Sequence, residues 1–308
     1  MPHDVSHDRV LVVGEALVDV LDGIALPGGS PLNVAVGLQR LGVPATLHSY
    51  FGADPHGVEI ARHLEASGVG VTPGTVGDHA TSVAEATLAA DGSATYAFAI
   101  DWDPAPLEVP PGTFQAVHTG SIGAALEPGA TMVEALLTKL RPTTLVTFDP
   151  NVRPQLMGTP ENALPRIERL IALADVVKAS DEDLAWLFPD ATIADVMQRW
   201  RALGPALIVV TRGDEGADAL SAAGPVHVPA VPSKVVDTIG AGDSFMAGLI
   251  WSLGTLGLLR ADRREMLHEL NFADVRLVVS IGARCAGITV SRPGADPPTA
   301  DEVAATYR

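Results

Sequence analysis

The sequence has one cysteine, few lysines and no long apolar run, and each shortage disfavours a class of protein. Cys285 has no second thiol in the chain with which to form a disulfide, and one cysteine cannot build a thiolate zinc site. Only Lys139, Lys178 and Lys234 are lysines among the 308 residues, and the net charge is −17. The single cysteine leads us to expect no redox or structural-zinc role. Because no basic cluster is present to neutralise a phosphate backbone, we also expect no nucleic-acid partner.

Membrane insertion and export are also disfavoured. No apolar stretch approaches the ~18 residues that a membrane span requires, and Met1–Arg9 lacks the basic-then-apolar order of a signal peptide. We therefore expect a cytoplasmic protein with no membrane partner. Hydrophobic residues make up 47% of the chain, which is enough for one large core or two smaller ones.

Apolar runs of strand length alternate with stretches of helical period along the chain. The predicted strands are Val10–Val13, Thr46–Phe51, Leu145–Phe148, Val176–Val177 and Leu207–Val210, and the predicted helices include Asn33–Leu41, Val58–Leu64, Ile167–Leu173 and Val196–Leu203. This order predicts an α/β fold with a doubly wound, mostly parallel sheet. Ser30 is a candidate cap for the first helix, with Pro31 at the first helical position.

One segment departs from this alternation. Ser82–Ala90 and Ser93–Ile100 read as two strands around Asp91-Gly92, a dipeptide suited to a tight turn, and so predict an antiparallel hairpin. Tyr96 and Phe98 share one face of its second strand, and that face either packs on the sheet or covers a ligand. The stretches 103–112 and 225–232 are predicted to be loops. We expect one domain with a small β lid.

Several common catalytic motifs are absent. No lysine stands in the Gly-Lys-Ser/Thr order of a Walker loop, and Gly240 and Gly242 lack the third glycine of a dinucleotide fingerprint. Ser244 lacks the second glycine of a hydrolase nucleophile elbow, and the nine histidines include no H-E-x-x-H pair. These absences disfavour P-loop proteins, NAD-dependent oxidoreductases, serine hydrolases and zinc proteases.

A glycine-rich segment carries the strongest chemical signal. Asp237-Thr238-Ile239-Gly240-Ala241-Gly242-Asp243-Ser244-Phe245 leads into a stretch of helical period, so its glycines are expected at a helix N-terminus. Free N–H groups and the helix dipole attract an anion there, and glycine lets it approach closely. Taken alone, Asp243 in this first turn is explained equally well as a helix cap.

This segment resembles the C-terminal signature of the ribokinase-like (PfkB) sugar kinases, D-T-x-G-A-G-D-x-F. Gly28-Gly29-Ser30-Pro31-Leu32-Asn33-Val34-Ala35 resembles the other family signature, and residues 14–19 resemble the opening strand and loop. The resemblance continues through residues 52–57, 149–153, 211–216 and 291–295 and so spans nearly the whole chain. It implies a single ribokinase-like domain over residues 1–308, with lid segments inserted at roughly 16–27 and 82–101.

The resemblance implies a phosphoryl-transfer site. Asp243 would be the catalytic base, and the N–H groups of Gly240, Ala241 and Gly242 would stabilise charge on the transferring phosphoryl group. The residues implied for the sugar are Asp19, Gly29, Asn33, Tyr96, Phe98 and Arg153. Each has a competing structural explanation. Asp19 would be a turn aspartate, Gly29 a flexible glycine and Asn33 a surface amide, whereas Tyr96 and Phe98 would only pack on the sheet and Arg153 would form a surface ion pair.

The resemblance also implies ATP and Mg²⁺ as cofactors. The residues implied for the nucleotide and its magnesium are Ser180, Asp183, Thr211, Gly213 and Gly216. Ser180 and Asp183 replace both members of the family's Asn-x-x-Glu motif, so magnesium binding departs from the family pattern here. A monovalent cation, potassium in some members, would lie beside Asp237 and Ile239.

The pattern of the first signature, with Asp149-Pro150-Asn151-Val152-Arg153, resembles the fructokinase branch more than ribokinases. Fructose is therefore the first expectation, followed by another sugar such as ribose or a sugar acid such as 2-keto-3-deoxygluconate, because Arg153 suits a carboxylate equally well. Nucleosides are a weaker third. A sugar-binding regulatory protein without turnover is the alternative from another class. A lid with an open edge could also pair with its twin in a homodimer.

Overall fold

The computed structural model describes residues 8–21, 24–88 and 94–307. In chain order the strands are β1 (Val10–Val13), β2 (Leu17–Leu21), β3 (Ile24–Gly28), β4 (Ala45–His48), β5 (Phe51–Gly52), β6 (Gly70–Val71), β7 (Val76–Gly77), β8 (Val83–Leu88), β9 (Ala94–Ala99), β10 (Ala116–Gly120), β11 (Leu145–Asp149), β12 (Val176–Ser180), β13 (Leu207–Thr211), β14 (Ala217–Ser221) and β15 (Gly224–Val228). The helices are α1 (Ser30–Arg40), α2 (Pro55–Ala66), α3 (Gly129–Leu140), α4 (Pro154–Met157), α5 (Pro160–Leu173), α6 (Asp181–Leu187), α7 (Ile193–Arg201), α8 (Ala241–Thr255), α9 (Arg264–His268), α10 (Phe272–Thr289) and α11 (Ala300–Ala305).

A nine-stranded sheet forms the centre of the molecule, in the order β15-β14-β13-β12-β11-β10-β1-β4-β6. All its pairings from β13 to β6 are parallel, and only β14 and β15 at one edge run antiparallel. Its central strands are buried on both faces, because β1 sends Val10 and Val12 into one apolar cluster and Leu11 and Val13 into another. Helices α1, α8 and α10 contribute to the first cluster, and α3, α5 and α7 to the second. The predicted doubly wound, mostly parallel fold is confirmed.

A smaller sheet of four strands, in the order β3-β2-β8-β9, stands beside the carboxyl end of β1. Strands β2 and β3 pair antiparallel, as do β8 and β9, whereas β2 and β8 run parallel. The hairpin predicted around Asp91-Gly92 is thus present as β8 and β9, and the turn itself lies outside the described residues. The lid segments predicted at roughly 16–27 and 82–101 supply these four strands.

Two local predictions are wrong. Thr46–Phe51 is not one strand, because β4 ends at His48 and Phe51 begins β5, which pairs with β7 in a separate two-stranded sheet. The predicted loop 225–232 contains most of β15. Pro225 is compatible with that strand because β15 lies at the sheet edge, where a missing N–H costs no ladder bond.

Across residues 8–21, 24–88 and 94–307, no helix is long and apolar enough to cross a membrane.

Candidate active site

The strand order locates a crevice. The chain passes from β1 to β4 and β6 on one side of the sheet and later returns to the other side of β1 with β10 to β13. Strands β1 and β10 are therefore neighbours at the point where the strand order reverses. Open α/β sheets bind ligands outside the carboxyl ends of their strands at such a point. Residues 14–16, 121–124 and 150–153 follow β1, β10 and β11 there.

Helix α8 begins without a side-chain cap. Its N-cap Gly240 has φ 72° and ψ 3°, in the left-handed region that favours glycine, and a β-carbon there would lie 2.6 Å from Cβ of Ala295. The first-turn N–H groups, including those of Gly242 and Asp243, have no acceptor within the helix. With the helix dipole they form a cradle suited to an anion. The glycine-rich helix start predicted from the sequence is confirmed.

Asp243 lies in this first turn and is almost completely buried. The Ser30 hydroxyl donates to Asp243 Oδ1 at 2.6 Å, and Asn33 Nδ2 donates to Oδ2 at 2.9 Å. Both donors lie in α1, three residues apart and hence on one helix face. The two family-like signatures, about 210 residues apart in sequence, therefore meet at this carboxylate.

The role expected of Ser30 as the cap of α1 is wrong. Gly29 is the N-cap residue, Ser30 is the first residue of the helix, and no side chain caps this terminus. The hydroxyl of Ser30 bonds to Asp243 instead. Ser30 is a site residue that sequence analysis missed, although its spacing of three from Asn33 was available as a signal.

Asp19 on β2 lies against the glycine pair that precedes α1. A β-carbon at Gly28 would lie 2.2 Å from Asp19 Oδ2, and one at Gly29, where φ is 109°, would lie 2.6 Å from the carbonyl oxygen of Glu15. The side chain of Asp19 remains open to solvent, yet the surrounding protein desolvates it and raises its pKa, against the opposing charge of Arg153. The structure thus brings Asp19 and Gly29 together at one wall of the crevice.

Arg153 follows β11 and is exposed. Its Nη1 donates to Asn151 O at 3.2 Å, to Asn151 Oδ1 at 2.8 Å and to Val152 O at 3.0 Å. Burial raises the pKa of both Glu15 and Asp19, and the charge of Arg153 opposes that rise, so Arg153 lies within electrostatic reach of both carboxyl groups. Arg153 makes no surface ion pair with Asp or Glu among the described residues.

The small sheet reaches the same crevice. Its register places Asp19 beside Ala84 and Ala84 beside Phe98, so the three residues form one row across the sheet. Phe98 packs against a small apolar cluster that includes Leu17 and Ile122. The side chain of Tyr96 lies outside the described residues, so its expected contact with the sugar stays a prediction.

The loop after β13 holds the residues expected to bind the nucleotide. Thr211 pairs in register with Ser180, and Gly213 has φ 53° with open space around its α-carbon. Gly216 has φ 98°, and a β-carbon there would lie 2.1 Å from the carbonyl oxygen of Val228. The two glycines form a tight turn at the carboxyl edge of the sheet, which is compatible with a nucleotide.

Ser180 and Asp183 form a capping box at the start of α6. Ser180 Oγ accepts from the N–H of Asp183, and Asp183 Oδ2 accepts from the N–H of Ser180 at 2.8 Å. The N–H of Val152 donates to the other oxygen, Asp183 Oδ1, at 2.7 Å. The hydrogen bonds of both side chains thus stabilise the start of α6 and its neighbouring loop without any contribution from magnesium.

Asp237 joins the segment before α8 to the segment after α10. The N–H of Ile239 donates to Asp237 Oδ1 at 3.0 Å, and the N–H of Gly294 donates to Oδ2 at 2.8 Å. Ile239 is largely exposed. The two residues expected beside a monovalent cation therefore lie together, next to the cradle of α8.

Sequence analysis assigned no role to a buried ion pair at this edge. Lys178 Nζ on β12 donates to Asp149 Oδ2 on β11 at 2.7 Å, and the two side chains are 4% and 1% exposed. Burial raises the pKa of Asp149 to about 6, although Lys178 opposes that change. Burial alone would lower the pKa of Lys178, but Asp149, Asp183 and Asp243 raise it, so the ammonium is charged. A lysine within an otherwise apolar central strand was the signal that could have found the pair.

Glu15 is a further buried carboxyl group at the crevice. The N–H of Gly123 donates to its Oε2 at 2.7 Å, and its Oε1 has no hydrogen-bond partner among the described residues. Desolvation raises the pKa of Glu15 to about 7, against the effects of the Gly123 hydrogen bond and of Arg153.

Comparison with known proteins agrees with this geometry. The family profile described as pfkB family carbohydrate kinase matches residues 11–302. A fructokinase of Rhizobium leguminosarum bv. trifolii is 33% identical over 275 residues, which cover 84% of each chain.

Solved structures show the same likeness. A fructokinase variant from Vibrio cholerae O395, bound to fructose, ADP and a potassium ion, superposes with a TM-score of 0.83 at 26% identity over 100% of both chains. An aminoimidazole riboside kinase from Salmonella enterica, bound to its riboside and an ATP analogue, gives 0.79 at 25% identity, over 98% of this chain and 100% of that one. From the profile match and the shared fold, the chain belongs to the pfkB family of carbohydrate kinases.

Proposed function

We propose that this ATP-dependent carbohydrate kinase phosphorylates fructose, with Asp243 as the general base. The observation that carries the proposal is the position of the Asp243 carboxylate, in the same helix turn as the uncapped amides of α8 and held by Ser30 and Asn33. Phosphoryl transfer needs a base for the alcohol and fixed positive potential for the phosphoryl group. This turn supplies both.

The reaction follows from these positions. The sugar hydroxyl gives its proton to Asp243 while its oxygen forms a bond to the γ-phosphorus of ATP. The bond between that phosphorus and the bridging oxygen breaks, ADP leaves with the electron pair, and Asp243 later releases the proton to solvent. Amides of Gly240, Ala241 and Gly242 stabilise the charge on the phosphoryl oxygens. Ser30 and Asn33 fix the orientation of the carboxylate.

Electrostatics favour a neutral acceptor over a sugar acid. The charge of Arg153 is already opposed by Asp19 and Glu15, and its guanidinium bonds to carbonyl groups of its own loop. A carboxylate arriving there would also meet Asp19. A neutral ketose offers hydroxyl donors to Asp19 without that repulsion, and the relatives named fructokinase support the same acceptor.

Magnesium is proposed to arrive with the nucleotide. Among the residues that the structure describes, no group of three or more His, Cys, Asp or Glu could hold a metal ion. That fits an ion held mainly by ATP phosphates and water. Asp237 and the loops that it joins fit a potassium ion bound by oxygen atoms, and an Asp237→Asn variant should lose any stimulation by KCl in a coupled assay.

A homodimer through the small sheet is also proposed. Its edge strand β3 carries Ile24 and Leu26, which are 63% and 56% exposed. Light scattering should show a dimer that Leu26→Glu converts to monomer. We also propose a cytoplasmic location, where ATP is available and where the free, buried thiol of Cys285 needs no oxidising compartment.

A panel of acceptors tests the substrate. Magnesium-dependent ADP release is measured with fructose, ribose, glucose, 2-keto-3-deoxygluconate and adenosine. Fructose should give the highest kcat/KM, and Asp19→Ala should reduce fructose use far more than ATP binding, since sites that pair a substrate hydroxyl discriminate by up to ~10⁴.

Two outcomes would contradict this assignment. If 2-keto-3-deoxygluconate gives the highest value and Arg153→Met selectively abolishes it, the acceptor is a sugar acid. Absence of ADP release with every acceptor would favour a sugar-binding regulatory protein.

A further inference from the structure

The Lys178 ammonium has an environment that a structural ion pair does not require. Within the described part of the chain, Lys178 is the only buried lysine or arginine, and Asp149 Oδ2 is the only hydrogen-bond acceptor that its Nζ contacts. An ammonium group has three donors, so two remain without a protein partner. Leaving them desolvated and unpaired costs free energy. The site therefore has unused capacity to bind an anion.

The position of Lys178 Nζ relative to α8 shows where such an anion would bind. A β-carbon added to Gly242 would lie 3.0 Å from Lys178 Nζ, and among the described residues that ammonium is the only group outside the adjoining backbone of α8 within 4 Å. The ammonium thus lies directly against the first turn of α8, beside the amides that form the anion cradle. Asp243 is close enough to raise the pKa of Lys178. The positive group, the cradle and the carboxylate form one cluster.

Ser180, Asp183 and Arg153 do not supply an equivalent positive charge at the cradle. Ser180 and Asp183, at the positions of the family's Asn-x-x-Glu motif, are engaged in capping α6. Arg153 is exposed and bonds to its own loop. A transferring phosphoryl group spreads negative charge over three oxygens, and a fixed cation in a dry site stabilises that charge strongly. Lys178 is positioned to supply it.

We propose that Lys178 is a catalytic residue, whose ammonium binds an oxygen of the transferring phosphoryl group at the N-terminus of α8. Asp149 holds the ammonium in place through the bond that the structure shows. This proposal rests on the proposed function, because it needs the phosphoryl group to bind at α8. The competing explanation is that Lys178 only neutralises Asp149 within the sheet.

Three variants separate these explanations: Lys178→Met, Asp149→Asn, and the double variant with both substitutions. Lys178→Met leaves Asp149 buried and unpaired, so its melting temperature should fall as well as its activity. In the double variant both charges are gone, so the melting temperature should return close to wild type. If Lys178 binds the phosphoryl group, kcat of the double variant should stay ~10²-fold or more below wild type, the effect of removing one fixed donor in comparable sites.

Binding measurements add a readout independent of turnover. Calorimetry should show that the double variant loses affinity for a non-hydrolysable ATP analogue while its affinity for ADP changes much less, because Lys178 faces the γ-phosphoryl position. Lys139→Met is the matched control, since Lys139 is 52% exposed and pairs with Glu108 at the surface. Its kcat and both nucleotide affinities should match wild type.

The outcomes are decisive. Recovery of kcat in the double variant to within about threefold of wild type, or equal losses of ATP-analogue and ADP affinity, would overturn the proposal. Failure of the proposed function is distinguishable, because wild type would then release no ADP with any acceptor, or Asp243→Asn would keep the activity of wild type, whatever the result at Lys178.

Discussion

Helices α6 and α8 begin at the same edge of the sheet, and their first turns are built in opposite ways. At α6 the side chains of Ser180 and Asp183 satisfy backbone donors in a capping box. At α8 the N-cap is Gly240, and no side chain of the residues that the structure describes caps the helix. A cap contributes about 1 kcal/mol to stability. One helix uses its free N–H groups for its own stability, and the other leaves those of Gly242 and Asp243 available to a ligand, while the N–H of Ala241 donates to Thr238 O at 3.3 Å.

The carboxylates of the two turns differ in the same sense. Among the described residues, Asp183 accepts hydrogen bonds only from the backbone N–H groups of Ser180 and Val152. Within the same part of the chain, Asp243 accepts only from the side chains of Ser30 and Asn33, which lie on a distant helix. A carboxylate bound to its own helix terminus is a cap, whereas one held by another element is oriented for something else. The comparison therefore assigns structure to α6 and chemistry to α8.

The largest effect is expected from Asp243→Asn. The amide cannot accept the sugar proton, so kcat should fall by ~10²–10⁴, while KM for both substrates and the melting temperature change little. Asn keeps the shape of the side chain, and the Ser30 hydroxyl and Asn33 amide can both reorient. Steady-state kinetics and a thermal melt measure these quantities. A loss confined to KM would assign Asp243 to binding, and a loss of about 1–2 kcal/mol in stability would make it a cap like Asp183.

Gly242→Ala should have the next largest effect. Its methyl group would lie 3.0 Å from Lys178 Nζ and beside the amides of the cradle, so kcat should fall by ~10²–10³, the effect of losing an oxyanion donor. Gly70→Ala is the matched control, because a β-carbon there makes ordinary contacts at 3.6 Å or more. If Gly242→Ala keeps turnover with saturating sugar, the phosphoryl group does not bind at this turn.

The sequence was sufficient to predict features with a local cause. The α/β order, the glycine-rich start of α8 and the hairpin all follow from periodicity and turn chemistry within about ten residues. The assembly of the site has no such local cause. Ser30 appeared to be a helix cap because that is its usual local use, and only the fold brings Asp243 close enough to accept a hydrogen bond from its hydroxyl.

Long-range pairing explains the other missed residues. Lys178 and Asp149 are far apart in sequence and pair only because β11 and β12 are neighbours in the sheet. Pro225 suggested a loop because its tolerance depends on β15 being an edge strand. The roles of the site residues, by contrast, stay predictions that the substitutions above and below test.

Glu15 extends the comparison to a carboxyl group with an unpaired oxygen. Its pKa is raised to about 7 in the folded protein from an ordinary value of 4.5. Between these values the folded state binds more protons than the unfolded state, so the contribution of Glu15 to stability falls as pH rises from about 4.5 to 7. Glu15→Gln should therefore be more stable than wild type at pH 8 by about 1–3 kcal/mol, with the difference vanishing near pH 4. Urea unfolding at both pH values measures this, and a pH-independent difference would contradict it.

The smallest effect, and the sharpest test of the comparison, is expected from Ser180→Ala. Loss of the hydroxyl removes the acceptor for the Asp183 N–H, so the free energy of unfolding should fall by about 1 kcal/mol. Thr192→Ala is the matched control, since Thr192 caps α7 through the Asp195 N–H and has no proposed role in binding. Because the hydroxyl of Ser180 is committed to its helix, both variants should lose similar stability in urea and keep kcat and KM for MgATP within about twofold of wild type.

If Ser180 instead helps to hold the nucleotide and its magnesium, as the family resemblance implies, Ser180→Ala alone should raise KM for MgATP by about tenfold, about 1.4 kcal/mol of binding free energy. That result would make the first turn of α6 part of the site and remove the distinction between the two helices.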